Sequence, residues 1–258
     1  MKNKIHAHVP YGRLTEHLEY AIANSINPEV FFSAEALDGL VWEELSSLAG
    51  ALHAAGLSTT IHAPFLDLNP GAVDPSIRAA TRHRIQQVMQ AAELLRPRVI
   101  VVHPGYDDLH YGDNRLAWLK NSIDFWREFV LRARELGTVL AVENIFEKEP
   151  STIRALLDAI DDPSFRHCFD IGHWNLFTTV TLEEWFSELG SYVVESHIHD
   201  NHGRCDEHLP VGEGDIDFKQ FFPLLTRYAP AALWTMEAHS TEHLQRALKN
   251  IRSYISCP

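Results

Sequence analysis

The chain has 258 residues, of which 45% are hydrophobic and 22% charged, and these proportions fit a single globular domain spanning residues 1–258. No apolar run approaches the roughly 20 residues that span a bilayer, and the amino-terminal segment lacks the apolar centre of a secretory signal. Three cysteines, Cys168, Cys205 and Cys257, stand at unrelated spacings and do not suggest a disulfide framework. We therefore expect a cytoplasmic protein without membrane association.

The negative charge is spread unevenly along the chain. The formal net charge is −13, and the segment between Arg13 and Arg78 contains nine acidic residues but no lysine or arginine. Proteins that grip nucleic acids neutralise phosphates with these two cationic side chains. A small-molecule partner is therefore favoured over a nucleic acid, although a local basic patch elsewhere would still permit one.

Strand-like and helix-like segments alternate along the whole chain. Short apolar runs predict eight strands, at residues 5–9, 30–32, 58–62, 99–103, 139–143, 167–170, 192–197 and 233–237. Longer stretches with helical periodicity lie between them, for example at residues 75–95 and 114–136. Eight such units, at roughly 30 residues each, predict an α/β fold of the (β/α)8 TIM barrel type. The alternative, an open doubly wound sheet, usually shows a glycine-rich phosphate turn after its first strand, and this chain has none there.

Metal-ligating residue types stand at the ends of the later strands. The third to eighth predicted strands end in His62, His103, Glu143, Asp170, His197 and Glu237. His173 follows the sixth strand end, and Asp206 and His208 lie in the loop after the seventh. Barrels of this type build their active sites at the carboxyl ends of the strands. Because burying several carboxylates together without a cation costs several kcal/mol per charge, this arrangement predicts bound divalent metal at the mouth of the barrel.

The motifs around these residues resemble a known superfamily. HAPF at His62, VVHPG at His103, VEN at Glu143, DIGH at Asp170, HIHDN at His197, D-x-H-x-x-x-G-E-G at Asp206 and the last-strand Glu237 occur in the order typical of the xylose isomerase-like TIM barrels. This superfamily, also called AP endonuclease family 2, includes sugar and sugar phosphate isomerases and epimerases as well as endonuclease IV. The resemblance covers nearly the whole chain.

The resemblance implies two nested sets of metal ligands. Endonuclease IV holds three zinc ions, and the matching residues here are His62, His103, Glu143, Asp170, His173, His197, Asp206, His208 and Glu237. The sugar enzymes generally hold one metal ion, with residues that match Glu143, Asp170, His197 and Glu237. We therefore expect one to three ions of zinc, manganese, cobalt or magnesium.

His197 and His199 compete for the place of the ligand after the seventh strand. Both project to the same face of a strand, because side chains alternate with a period of two. The H-x-x-D spacing to Asp200 matches the family and favours His197. His199 would then lie behind the ligands or contact the substrate.

The resemblance leaves two enzymatic hypotheses open. In the first, the protein is a metal-dependent sugar isomerase or epimerase, with Glu143 and Glu237 as the acid and base and His173 orienting a hydroxyl. Arg204 or Lys148 would bind a distal phosphate or carboxylate of the substrate, if it has one. Trp174, with Phe65 and Phe146, would form an apolar wall beside the sugar carbons.

The second hypothesis is a zinc-dependent phosphodiesterase resembling endonuclease IV, which acts on abasic DNA or on a smaller phosphoester. The complete ligand set favours it, and the acidic, cation-free first third of the chain disfavours it. A purely structural zinc site is a poorer alternative, because such sites are closed and usually contain cysteine. Barrels of this type often associate, so a homo-oligomer is compatible with the sequence.

Overall fold

Eight parallel strands close into a barrel in the computed structural model, which describes residues 5–255. Each strand pairs with the next along the chain, and the eighth pairs with the first. The strands are β1 (Ile5–Pro10), β2 (Asn27–Phe31), β3 (Thr60–His62), β4 (Val99–Val102), β5 (Val139–Glu143), β6 (Phe165–Asp170), β7 (Val193–Ile198) and β8 (Leu233–Met236). The predicted (β/α)8 barrel is confirmed.

Helices follow the strands and surround the barrel. They are α1 (Tyr11–Asn24), α2 (Ala34–Asp38), α3 (Trp42–Ala54), α4 (Pro75–Leu95), α5 (Asp108–Tyr111), α6 (Arg115–Leu136), α7 (Ser151–Ile160), α8 (Ile171–Phe177), α9 (Leu182–Leu189), α10 (Phe218–Tyr228) and α11 (Thr241–Ile255). Within the described part of the chain, no helix is both long and apolar enough to cross a membrane. Cys168 is buried in β6 and Cys205 is exposed in a loop, whereas Cys257 lies outside the described residues.

The strands divide their side chains between two environments. Residues such as Ile100 and Leu140 pack outward against the helices in one continuous apolar core. Their strand neighbours Val99, Val101 and Ala141 belong to a separate aliphatic cluster, which the period-two alternation places inside the barrel. Along each strand, the side chains that point into the barrel are therefore aliphatic in one layer and polar at the carboxyl end.

The barrel interior also carries polar residues that the sequence analysis did not predict. Glu29, Thr60, Glu195 and Thr235 are completely buried on β2, β3, β7 and β8. The β2 strand begins at Asn27, three residues before the predicted start, and this difference brings Glu29 into the sheet. The Asn27 side chain donates a hydrogen bond to the carbonyl of Ile5 on β1, which ties the early start of β2 to its neighbour.

Candidate metal centre

The nine residues that the family resemblance implies as ligands lie together at the carboxyl ends of the strands. Their donor atoms form three adjoining groups of histidine nitrogens and carboxylate oxygens, which share members.

Glu143, at the end of β5, is the centre of the first group. Its Oε2 lies 3.2 Å from His62 Nε2 and 3.1 Å from His103 Nε2. The Nδ1 of His62 is paired with the carbonyl of Ala63 at 2.9 Å, which fixes the ring so that Nε2 faces the carboxylate. Phe65 stacks on the His103 ring at a centroid distance of 4.3 Å and restricts that ring as well.

The second group forms around His197 on β7. Its Nδ1 lies 3.3 Å from Glu143 Oε1 and 3.3 Å from Glu237 Oε1, with Asp170 Oδ2 at 3.8 Å. Glu143 thus offers one oxygen to each of the first two groups, as a bridging carboxylate does. Asp170 caps helix α8 by accepting the His173 N–H on Oδ1 at 2.7 Å, which leaves Oδ2 to face this group.

The third group connects α8 with the loop after β7. Asp206 Oδ2 lies 3.3 Å from His173 Nε2 and 2.9 Å from His208 Nε2. The other nitrogen of His173 lies 3.2 Å from Glu143 Oε1, so this group adjoins the first two. Asp206 is the most exposed of the three, with about 35% of its side chain accessible.

These groups have the donor spacing that a metal ion requires. In a tetrahedral site with bonds of about 2.0–2.1 Å, neighbouring ligand atoms stand about 3.3 Å apart. His103 Nε2 and His197 Nδ1 are both buried, yet neither has a hydrogen-bond partner among the described residues, although carboxylate oxygens lie 3.1–3.3 Å away. Nitrogens and oxygens placed in this way would fit as ligands of one ion between them. The donor set, imidazole and carboxylate, suits zinc, manganese and cobalt.

The electrostatics of the cluster also indicate that its carboxylates need a positive charge beside them. Burial opposes the ionisation of Glu237, but the neighbouring His197 and His208 outweigh it and lower its pKa to about 2. Burial likewise opposes the protonation of His208, but the hydrogen bond with Asp206 and the charge of Glu237 raise its pKa to about 9. In the absence of metal, protons on histidines therefore supply the positive charge that these carboxylates demand.

Asp200 organises the loop that carries Asp206 and His208. Its Oδ2 accepts the N–H groups of Gly212 at 2.9 Å and Gly214 at 2.8 Å, and its Oδ1 accepts that of Ile216 at 3.2 Å. Its backbone pairs with Leu209 in an isolated antiparallel bridge. One buried carboxylate thus closes the loop, which explains in physical terms why the H-x-x-D and G-E-G motifs occur together.

Sequence reasoning missed the residues beneath and beside the ligands. Glu29 Oε2 lies 3.2 Å from His197 Nε2, and its other oxygen lies 3.1 Å from His8 Nδ1. Glu195 is buried nearby and takes a short hydrogen bond from the Thr235 hydroxyl. Burial and the charge of Glu29 raise the pKa of Glu195 to about 8. The period-two alternation of side chains along a strand could have revealed Glu195, because it stands two residues before His197 on the same face of β7.

A cavity of about 740 Å³ opens above the three groups. Aromatic side chains form much of its wall, namely Phe31, Phe65, Tyr106, Tyr111, Phe146 and Phe177. Of the described residues that line it, none is a lysine or an arginine. The cavity thus combines histidine and carboxylate side chains at one side with an apolar wall.

The residues predicted to contact the substrate have different positions. Lys148 is half exposed, lies 3.8 Å from Asp108 and does not line the cavity. Arg204 is exposed in the loop after β7, and Trp174 packs against the core. His199 is buried beside Asp170, with 3.3 Å between His199 Nε2 and Asp170 Oδ2.

Comparison with known proteins identifies relatives of this chain. The family described as "Xylose isomerase-like TIM barrel" matches residues 29–254. An uncharacterized protein of Methanocaldococcus jannaschii, MJ1311, is 28% identical over 76% of this chain and 69% of the relative. A probable endonuclease 4 of Mycobacterium leprae is 25% identical over 67% of this chain and 70% of the relative. The solved structure of a D-tagatose 3-epimerase-like protein has a TM-score of 0.84 at 24% identity, over 98% of this chain and 97% of the other, and shows the same fold.

Proposed function

Because this chain belongs to the xylose isomerase-like TIM barrel family, we propose that it is a metal-dependent isomerase or epimerase of a sugar or sugar-like polyol. The observation that carries the proposal is the placement of two carboxylates, Glu143 and Glu237, each 3.3 Å from His197 Nδ1, at the base of a cavity whose described lining residues include no lysine or arginine. Glu143 ends β5 and Glu237 follows β8, so they approach a bound molecule from different sides of the mouth. Two carboxylates placed in this way suit proton transfer at carbon.

In the proposed mechanism the two glutamates move a proton. Glu237 removes the proton from the carbon beside the substrate carbonyl, and Glu143 accepts the proton of the hydroxyl group on that carbon. Glu143 then delivers its proton to the opposite face of the carbon, and Glu237 returns its own proton to the hydroxyl oxygen. Nearby histidines keep the pKa of both carboxyls below the ordinary value despite burial, so both begin as bases. Glu143, Asp170, His197 and Glu237 would hold the ion of a single-metal site, and a bound divalent ion would polarise the carbonyl and the adjacent hydroxyl oxygen. His173 orients a hydroxyl at the edge of the site.

The charge of the cavity favours an uncharged substrate. A phosphate or carboxylate is usually bound by Arg or Lys, and neither type is among the described residues that line this cavity. Lys148 faces Asp108 instead, and Arg204 is exposed. The apolar wall suits the carbon face of a sugar ring. These features support a free sugar or polyol over a sugar phosphate or a DNA backbone.

Metal-assisted phosphodiester hydrolysis is the second candidate function. The observation that favours it is the third group, in which Asp206 lies within 3.3 Å of both His173 and His208 and completes the nine-ligand pattern. A single-metal sugar enzyme has no need of this group. Three zinc ions per chain together with incision of duplex DNA at an abasic site would favour this alternative.

Solvent exchange tests the proposed function. Protein loaded with Zn²⁺, Mn²⁺ or Co²⁺ is incubated in D2O with a panel of free ketoses and aldoses, and deuterium at the carbon beside the carbonyl is measured by NMR and mass spectrometry. We expect exchange with at least one sugar, and roughly 10²–10⁴-fold slower exchange in Glu143→Gln and Glu237→Gln. The exposed Glu242→Gln on α11 is the control and should keep full activity. Absence of exchange together with abasic-site incision would refute the proposal.

A further inference from the structure

We propose that His8, on β1, binds a hydroxyl group of the sugar through Nε2 and so contributes to the substrate specificity of the site. This strand supplies none of the nine candidate metal ligands. The inference rests on the proposed function, because it takes a sugar as the bound molecule. It goes further by assigning a recognition residue that lies outside the ligand set.

The position of His8 is the first observation. The residue lines the cavity above the candidate ligands, and 23% of its side chain is accessible. Its Nδ1 lies 3.6 Å from Oε1 of Glu237, the glutamate proposed to remove the proton from carbon. A sugar with its reacting carbon at Glu237 therefore has one of its neighbouring groups beside the His8 ring.

The hydrogen bonding of the two ring nitrogens is the second observation. Nδ1 is paired with Glu29 Oε1 at 3.1 Å. Because a carboxylate can only accept hydrogen bonds, this pairing places the proton on Nδ1 and a lone pair on Nε2. No described residue forms a hydrogen bond with Nε2. His8 thus offers one unused acceptor at the cavity wall, and a sugar hydroxyl is a donor that suits it.

The fixed orientation of the ring is the third observation. Phe31 stacks on the His8 ring at a centroid distance of 5.5 Å and an angle of 27°, and the His62 ring meets it edge-on at 5.7 Å. His8 and Glu29 are also partners in the register of β1 and β2. A side chain held in this way loses little freedom when it binds a ligand, so less of its hydrogen-bond energy is spent on ordering the ring.

Glu29 connects His8 to the candidate metal ligand His197. Its two oxygens are divided between the two histidines, because Oε1 pairs with His8 Nδ1 at 3.1 Å and Oε2 with His197 Nε2 at 3.2 Å. Substitution of His8 therefore leaves both members of the second pair in the chain. Sugar binding through Nε2 and positioning of His197 through Glu29 are two roles that experiment can separate.

Two substitutions test the nitrogens of His8 separately. An asparagine amide reaches about as far as Nδ1 and can still donate to Glu29, whereas a glutamine amide reaches about as far as Nε2. KM and kcat of the metal-loaded protein are measured by solvent exchange with the D-ketohexoses fructose, tagatose, sorbose and psicose. We expect His8→Asn to raise KM roughly 3- to 10-fold with kcat nearly unchanged, since a bond to a hydroxyl that does not react contributes equally to substrate and transition state. His8→Gln should raise KM less, and the exposed His83→Asn and His83→Gln on α4 should match the wild type.

Metal content and direct sugar binding keep the test decisive. The His8 variants should hold as much metal per chain as the wild type, and calorimetric titration with the same ketohexoses should give the same order of affinities. His8→Phe, which keeps a flat ring without either nitrogen, serves if His8→Asn folds poorly and should raise KM as much.

Three results would overturn the inference. They are an unchanged KM in the variants without Nε2, a loss of metal content in them, and a smaller rise of KM in His8→Asn than in His8→Gln, which would mean that His8 acts through Glu29. A wild type that binds a ketohexose but exchanges no deuterium would refute only the proposed reaction. A wild type that binds none of them would refute the inference as well.

Discussion

Glu29 Oε2 lies 3.2 Å from His197 Nε2, on the side of the ring opposite the nitrogen that faces Glu143 and Glu237. Both residues are completely buried. Because Glu29 pairs with Nε2, it fixes the His197 ring and directs Nδ1 towards Glu143 and Glu237. Glu29 is therefore a positioning residue, although it does not touch the cavity.

We predict that Glu29→Gln weakens metal binding without unfolding the protein. The amide keeps the size of the side chain but removes the charge that supports His197, and loss of such a partner typically costs roughly 10- to 100-fold in metal affinity. The affinity is measured by zinc competition with a chromophoric chelator. The exposed Glu35→Gln on α2 serves as the control. An unchanged affinity in Glu29→Gln would show that His197 is oriented by other contacts.

The sequence predicted the candidate ligands at the strand ends, but not the buried glutamates Glu29 and Glu195 on the inner face of the barrel. The reason is physical. Ligand types at strand ends stand out, because each follows an apolar run. Glu195 interrupts such a run and Glu29 directly precedes one, and a charge inside a strand ordinarily argues against burial. Only the closed barrel brings Glu29 to His197, across 168 residues of sequence. Period two places these side chains on the inner face, but their partners depend on the register of the whole sheet.

For the loop after β7, the sequence predicted which residues are candidate ligands but not where the fold places them. Asp206 and His208 were expected as ligands, yet their positions depend on hydrogen bonds that Asp200 makes 12–16 residues further along. His208 has a positive φ of 50°, a backbone conformation that is uncommon for residues other than glycine. No local pattern predicts such a conformation.

We predict that Asp200→Asn loosens this loop. An amide presents only one acceptor oxygen, so at least one of the backbone N–H groups of Gly212, Gly214 and Ile216 loses its partner. A hydrogen bond to a charged group contributes roughly 1.5–3 kcal/mol, and we expect a loss of stability of about this size in urea unfolding. Trypsin should also cleave faster after the exposed Arg204. The exposed Asp215→Asn, in the same loop, should leave both measurements unchanged.

Glu147 should make the metal-free protein less stable as the pH rises. It is buried, and this burial raises its pKa to about 7 from an ordinary value of 4.5, although the Ile145 N–H opposes the shift. Between these two pH values the folded state holds a proton that the unfolded state has released, so the free energy of unfolding falls as the pH rises and levels off above 7. Glu147→Gln has no proton to lose and should be relatively more stable, by roughly 3 kcal/mol at pH 8 and little at pH 4.5.

Urea unfolding in the presence of a chelator at pH 4.5, 6 and 8 measures this difference. The exposed Glu19→Gln on α1 should track the wild type at each pH. A constant stability difference between Glu147→Gln and the wild type at all three pH values would contradict the assignment of the raised pKa.

Metal binding should release protons, because the histidine ligands must be neutral to coordinate. Asp206 and Glu237 raise the pKa of His208 to about 9, so in the metal-free protein this ring is protonated at pH 7. Its proton contributes to the stability of the metal-free fold below pH 6.5, and that contribution is lost as the pH rises through 9. Zinc must displace the proton at pH 7 but not at pH 10. Affinity for zinc should therefore rise with pH across this interval.

Calorimetric titration with zinc in buffers of different ionisation enthalpy counts the protons released per ion bound. We expect more protons to be released at pH 7 than at pH 10. Asp206→Asn removes the carboxylate that lies 2.9 Å from His208 Nε2 and supports its charge. In this variant His208 is less protonated at pH 7, so fewer protons should be released there than in the wild type. Equal release in the two proteins at pH 7 would mean that Asp206 does not control the protonation of His208.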